Sequence, residues 1–244
     1  MKVAIVGKGG SGKTTTAAVL ARALARRGHE VVALDCDTNP NLGISLGIGE
    51  EATEELVGMR QALDEGTGEH ASGWADLLDR FGSSAPDGVS FAVVSRIDNP
   101  EPGCPCCGLS PEQLLASVDD DRLVIADLEA GIGTLMRLAE GVVDATVVVV
   151  EPSPKSIEVG LRGVELATAR STGRLLVVGN RVRDEDDEQM IRGAFPAADV
   201  VLVPEDRSVI EADRSGRSPV DMVPQGPAVA ALDAVTRWLV PVPA

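Results

Sequence analysis

The first fifteen residues constrain this chain more than any other stretch. Val3-Ala4-Ile5-Val6 is an apolar run of strand length. It halts at Gly7-Lys8-Gly9-Gly10-Ser11-Gly12 and restarts at Lys13-Thr14-Thr15 as an Ala-rich helical segment. Gly7 to Thr14 fits G-x-x-x-x-G-K-[ST] in the strand–loop–helix setting that gives the pattern its meaning. Side chains at the glycines would keep backbone N–H groups from closing round a phosphate, and a helix starting near Lys13 adds the positive end of its dipole. The motif predicts that Gly9, Gly10, Ser11, Gly12 and Thr15 wrap the phosphates of ATP or ADP. Lys13 is expected to reach the β- and γ-phosphates, and the Thr14 hydroxyl to sit on Mg²⁺.

The rest of the chain supplies a matching frame. Apolar runs at 31–34, 91–94, 123–126, 146–150, 175–178 and 200–203 lack polar alternation, and helical patterns separate several of them, near 15–27, 109–118 and 157–171. Such strands are buried on both faces, so the expected fold is α/β: one domain over 1–244, a doubly wound and mostly parallel sheet. With 244 residues and 44% hydrophobic content the chain can bury a substantial core, but with 2% aromatics that core must be Val, Leu, Ile and Ala. Residues 48–88 are rich in Gly, Glu, Asp and Ser and read as a surface insertion with short helices near 54–63 and 74–81. His29 and His70 read as solvated turn residues. The helical stretch near 228–239 sets Val229, Leu232, Val235 and Leu239 on one side, which suits core packing better than a membrane surface.

Charge excludes some partners. The net charge of −16 repels nucleic-acid phosphates and anionic lipid heads, so neither nucleic acid nor membrane is an expected partner. No run reaches 18 apolar residues and the first strand follows Met1 directly, so the expected location is cytoplasmic. In that reducing setting four cysteines read as metal ligands or buried thiols rather than a disulfide framework.

Two further acidic positions end strands. Asp35-Cys36-Asp37 follows the second strand, at the carboxyl end where open α/β sheets place ligands; the pair would polarise water, serve the outer shell of a metal, or simply cap the strand end. Asp127, at the end of Leu123-Val124-Ile125-Ala126, has the Walker-B arrangement for holding magnesium through water. Cys36 is assigned no chemistry.

Lys8 inside the loop turns the motif into K-G-G-x-G-K-T-T. That resembles the deviant phosphate loop of the SIMIBI-type ATPases that include nitrogenase iron protein, the division-site and plasmid-partition ATPases (MinD, ParA) and metal-centre maturation ATPases. The resemblance implies a homodimer with Lys8 crossing to the partner's nucleotide and Asp37, in a first switch with Thr38-Asn39-Pro40-Asn41-Leu42, orienting the attacking water. It also makes Asp127-Leu128-Glu129-Ala130-Gly131 a second switch whose Gly131 amide senses the γ-phosphate. Asn180 and the Pro204-Glu205-Asp206 loop are implied to hold adenine.

The segment 99–108 ends in Gly103-Cys104-Pro105-Cys106-Cys107-Gly108, a Pro/Gly loop with three thiols in four residues. Thiolates select soft or borderline metals, and a closed tetrahedral site needs four. Cys104 and Cys106 from each of two chains would meet that number at a dimer axis, binding Ni²⁺ or Zn²⁺. A C-x-C before the Walker-B strand, with Glu-Ala-Gly after it, resembles the ATPases that insert nickel into carbon monoxide dehydrogenase (the CooC type). That likeness implies a nickel metalloenzyme client. Cys107 departs from the C-x-C-G pattern. An iron–sulfur carrier or electron-donor ATPase and a positioning ATPase are the alternatives.

Overall fold

The structure, a computed structural model, describes residues 1–64, 74–94, 110–118, 120–170 and 173–240. Strand β1 (Lys2–Gly7) runs into the glycine loop and helix α1 (Lys13–Arg26). Next come β2 (Val31–Cys36), α2 (Leu42–Leu46), α3 (Glu50–Asp64), α4 (Trp74–Phe81), β3 (Gly82–Ala85) and, after a 3₁₀ turn at 86–88, β4 (Val89–Val93). Then follow α5 (Pro111–Ser117), β5 (Leu123–Leu128), α6 (Gly133–Arg137), β6 (Ala145–Val150), α7 (Pro154–Ala169) and β7 (Arg174–Val182). The chain continues through α8 (Glu185–Ala194), β8 (Asp199–Pro204), α9 (Arg207–Arg214), α10 (Pro219–Met222) and α11 (Pro227–Leu239).

The eight strands form one sheet in the order β3-β4-β2-β5-β1-β6-β7-β8, parallel except for β3, which pairs antiparallel with β4 at one edge. Burial on both faces explains the unalternating strands. In β1, Val3 and Ile5 join the core under α1 and α11, while Ala4 and Val6 join the core under α5, α6, α7 and α8. The expected doubly wound, mostly parallel architecture is therefore the one observed. Val229, Leu232, Val235 and Leu239 of α11 are buried against the first of these cores, and among the described residues no helix is long and apolar enough to cross a membrane.

The stretch 48–88 contributes α3, α4 and the edge strand β3, with Leu56, Phe81 and Ala85 buried. Strand β3 has the sequence Gly-Ser-Ser-Ala, which carries no β-branched residue. Pairing with β4, not local preference, makes it a strand, and nothing in its own composition announces it. Helix α4 is pinned by Trp74, whose indole N–H donates to Asp120 Oδ2 at 2.7 Å.

The sheet order places β5 between β1 and β2, so the carboxyl ends of all three open at the same place. Asp35 lies opposite Asp127 in the β2–β5 register, and Ile5 lies opposite Asp127 in β1–β5.

Candidate functional site

The glycine loop is built by two close approaches. Gly7 has φ +151°, and a Cβ there would lie 2.2 Å from the Val149 carbonyl oxygen of β6. Gly12, the N-cap of α1, has φ +96°, and a Cβ there would lie 2.2 Å from Asn180 Nδ2. At Gly7 an L side chain meets backbone strain and a fixed carbonyl; at Gly12 it meets backbone strain and would displace the Asn180 amide from the loop. Between them the Ser11 N–H donates to Lys8 O at 3.1 Å, closing the loop. The Lys13 side chain is 5% exposed under it, and Ser11 Oγ is buried without a hydrogen-bond partner among the described residues.

Two carboxylates stand beside this loop. Asp35 is fully buried; its Oδ2 accepts from the Leu42 N–H at 2.8 Å and its Oδ1 from the Asp37 N–H at 3.2 Å. It thus anchors both ends of the 37–42 loop. Burial, aided by the charge of Asp127, pushes its pKa up to about 8 against the pull of those two N–H groups. Asp127 is 1% exposed and neither oxygen has a hydrogen bond of normal geometry among the described residues. Burial pushes it up to about 7, opposed by the Thr14 hydroxyl and the Lys13 ammonium. Two orphaned carboxylate oxygens beside a hydroxyl are hard donors, the set that Mg²⁺ takes. Asp37 is partly exposed, and its Oδ1 accepts from the Asn39 N–H at 3.0 Å, so its side chain shapes the turn.

On the far side of the loop lies a cavity of about 240 Å³ whose lining includes Thr15, Asn180, Pro204, Val209, Ile210 and Leu232. Gly10, Glu205 and Asp206 also line it. Asn180 Nδ2 donates to the Ser11 carbonyl at 2.8 Å, which ties this wall to the phosphate loop. Asp206 faces the cavity but its carboxylate is engaged: it caps α9 through the Ser208 N–H at 3.0 Å, takes the Ser208 hydroxyl, and accepts from the Ala228 N–H at 3.3 Å. The walls from α9 and α11 were not legible in the sequence. They arrive from some 200 residues beyond the loop, and ordinary apolar residues carry no local signal. A second cavity, of about 490 Å³, opens on the other flank of α1, lined by Thr14, Thr15, Asn41 and Ser45 among others.

A phosphate loop with buried carboxylates on one side and a base-sized cavity on the other is a nucleotide site. A family model described as the CobQ/CobB/MinD/ParA nucleotide binding domain matches residues 2–220. The chain belongs to that family. An uncharacterised ATP-binding protein of Methanocaldococcus jannaschii is 32% identical over 233 residues, covering 89% of this chain and 90% of that protein. The carbon monoxide dehydrogenase accessory protein CooC of Rhodospirillum rubrum is 27% identical over 248 residues, covering 92% and 91%. Among solved structures, the septum site-determining protein MinD of Pyrococcus horikoshii in complex with Mg-ADP has a TM-score of 0.70 at 20% identity, covering 98% of this chain and 96% of that one. This last likeness is one of fold.

Within the CobQ/CobB/MinD/ParA frame, the remaining candidate residues fall in three places. Lys8 is partly exposed and, among the described residues, forms no ion pair; its ammonium donates to Gly9 O at 3.3 Å. The Gly131 N–H donates to Gly7 O at 2.8 Å, so the segment that follows β5 lies bridged to the start of the phosphate loop with this amide already engaged. Cys104, Cys106 and Cys107 lie outside the described residues, among which no group of three His, Cys, Asp or Glu is placed to hold a metal. Cys36 is buried at the end of β2, and burial pushes its thiol up, well away from ionisation.

Proposed function

We propose that this protein is a homodimeric ATPase that matures a nickel metalloenzyme of the carbon monoxide dehydrogenase type. The observation carrying the ATPase part is the register that sets Asp35 and Asp127 side by side next to Thr14 and Lys13. Thr14 would hold Mg²⁺ with Asp127 behind its water shell; the bound cation supplies neutralisation of charge on the phosphates. The chain's own residues do the remainder. The glycine-loop amides and Lys13 position the β- and γ-phosphates, Lys8 of the partner subunit adds a cation at the γ-phosphate, and Asn180 with the 204–206 loop orients adenine. Asp37 aligns a water on the γ-phosphorus, the bond to the bridging oxygen breaks as the new P–O bond forms, and ADP and phosphate leave. Catalysis of this kind is positioning and electrostatics.

The maturation part rests on sequence: the Cys104-Pro105-Cys106-Cys107 loop before the Walker-B strand, together with 27% identity across nearly the whole of CooC. Nickel or zinc is cargo here, held by Cys104 and Cys106 of two chains. Anaerobic metal titration with sizing, with and without ATP, tests this. The expected result is about one metal per dimer, abolished by Cys104→Ser or Cys106→Ser and little changed by Cys107→Ser. One metal per monomer, or loss through Cys107→Ser above all, overturns the shared site. The rival is a positioning ATPase, a reading supported by the septum site-determining protein MinD of Synechocystis, 28% identical over 184 residues. Against it stand the net charge of −16 and the inward apolar face of α11. Salt-dependent binding to DNA or anionic vesicles, without metal binding, would favour it.

A further inference from the structure

Helix α5 begins three residues after the cysteine loop, and helix α6 begins two residues after Gly131 of the second switch. Among the described residues one ion pair joins these helices: Arg137 Nε lies 2.6 Å from Glu112 Oε1. The Arg137 guanidinium also donates to Thr134 Oγ1 at 3.3 Å, which holds it against its own helix. The two ends of the pair differ. Arg137 is 53% exposed and Glu112 13% exposed, and Glu112 Oε2 is buried with no hydrogen-bond partner among the described residues. A half-satisfied buried carboxylate is costly and needs a reason. A group poised between two arrangements supplies one, because its second oxygen can gain a donor when the neighbouring helix moves.

The pair sits in a continuous physical connection. Gly7, the first residue of the phosphate loop, accepts the Gly131 N–H at 2.8 Å, and Gly131 leads through Ile132 alone into α6. Across the ion pair, α5 is a stiff body: a reciprocal capping box joins Ser110 and Gln113, Pro111 starts its first turn, and Leu114 and Leu115 are buried in the core. Glu112 is also close enough to Cys36, between the two carboxylates of the first switch, for its charge to act on that thiol. The helix that follows the second switch therefore borders Glu112, in the first turn of α5.

We propose that Arg137 is a positioning residue: through its ion pair with Glu112 it sets helix α5, with Ser110 at its N-cap, according to the state of the phosphate loop. A contact of this kind transmits only if it differs in strength between two arrangements, and the Glu112 oxygen with no partner among the described residues marks where that difference arises. The part of the inference that concerns metal rests on the maturation reading; the part that concerns α5 does not.

The experiment is amide hydrogen exchange of residues 113–118 with and without Mg²⁺ and a slowly hydrolysed ATP analogue, in wild type, Arg137→Met, Arg137→Lys and Glu112→Gln. Exchange in α5 should respond to the nucleotide in wild type. The response should vanish in Arg137→Met and Glu112→Gln, and survive in Arg137→Lys; nucleotide affinity in the first two should shift by no more than about 5-fold, the reciprocal of the lost coupling, because none of these side chains lines the nucleotide cavities. Arg137 is half exposed, so its loss should leave the fold intact. A wild-type α5 indifferent to nucleotide, or a full response in Arg137→Met, overturns the proposal. Zn²⁺ affinity is measured on the same samples. Wild type should show a nucleotide-dependent change of up to about 5-fold, the most that an ion pair of under about 1 kcal/mol can carry, and Arg137→Met a ratio near one. A wild type that binds no metal in either state would remove the maturation reading, while the exchange data would still decide on Arg137.

Discussion

Arg22 offers a sharp test of how this fold is held, because its charge is buried while its partners are not stranded without it. The side chain is 2% exposed on the inward face of α1. Its Nε lies 2.7 Å from Asp87 Oδ2 and its Nη2 2.7 Å from Asp221 Oδ1, while Nη1 donates to the Leu46 carbonyl at 3.3 Å and to Ser218 Oγ at 3.2 Å. One guanidinium thus ties α1 to the end of α2, the 86–88 turn and the start of α10. Burial works against its charge, and the two carboxylates more than restore it. Arg22→Met removes the cation but keeps the stem. Asp87 retains Arg26 at 2.9 Å, Asp221 is 41% exposed and rehydrates, and the remaining loss is a donor to two neutral acceptors. That loss costs about 2 kcal/mol. Replacing both carboxylates by Ala instead leaves a desolvated guanidinium facing neutral acceptors, which costs roughly 3–5 kcal/mol. The asymmetry should appear in urea denaturation at pH 7 as a larger fall for Asp87→Ala/Asp221→Ala than for Arg22→Met. It should shrink on acidification, since Asp87 is held below the usual carboxylate range and its contribution is lost as it protonates. If Arg22→Met is the more damaging change, the desolvation argument is wrong.

Three further expectations concern the site. Asp127 has its folded pKa raised from 3.8 to about 7, so it favours folding least once ionised, and stability of the metal- and nucleotide-free protein should fall as pH rises from about 4 to 8. Asp127→Asn should remove up to about 4 kcal/mol of that fall, read from denaturation midpoints across pH; an unchanged slope counts against the burial argument. Lys13→Ala should weaken ATP binding as well as turnover, whereas Asp37→Ala should bind ATP nearly normally and hydrolyse it slowly, because aligning water matters on the way to the transition state. Equal loss of affinity by calorimetry would contradict that division. Mixing Lys8→Ala with Asp37→Ala subunits should restore part of the ATPase rate by forming one intact composite site, and no recovery despite proven subunit exchange would remove the trans role of Lys8.

What the sequence determined by itself is everything set by short-range rules. The apolar runs without alternation announced parallel strands buried on two faces, and α1 follows from Ala-rich helix formers after the loop. The capping box of Ser110 and Gln113 likewise needs only neighbours in the chain. The phosphate loop was legible because its chemistry is local: fifteen consecutive residues contain strand, turn, cation and hydroxyl. Residue type also marked Asp35 and Asp127, each at the end of an apolar run. Their relation was not marked. Only the sheet order β2-β5-β1 brings two carboxylates from positions 35 and 127 into register beside the loop and desolvates them together. Long-range pairing likewise turned Gly82-Ser83-Ser84-Ala85 into an edge strand and set the Val149 carbonyl against Gly7. It also joined Arg22 to Asp87 and Asp221, and Arg137 to Glu112. Hydrogen bonds and ion pairs between distant residues have no sequence period, so no pattern along the chain could show them. They exist because packing two layers of helices on one sheet takes one member of each pair, Arg22 or Glu112, out of water, and that group must find its partner in the fold.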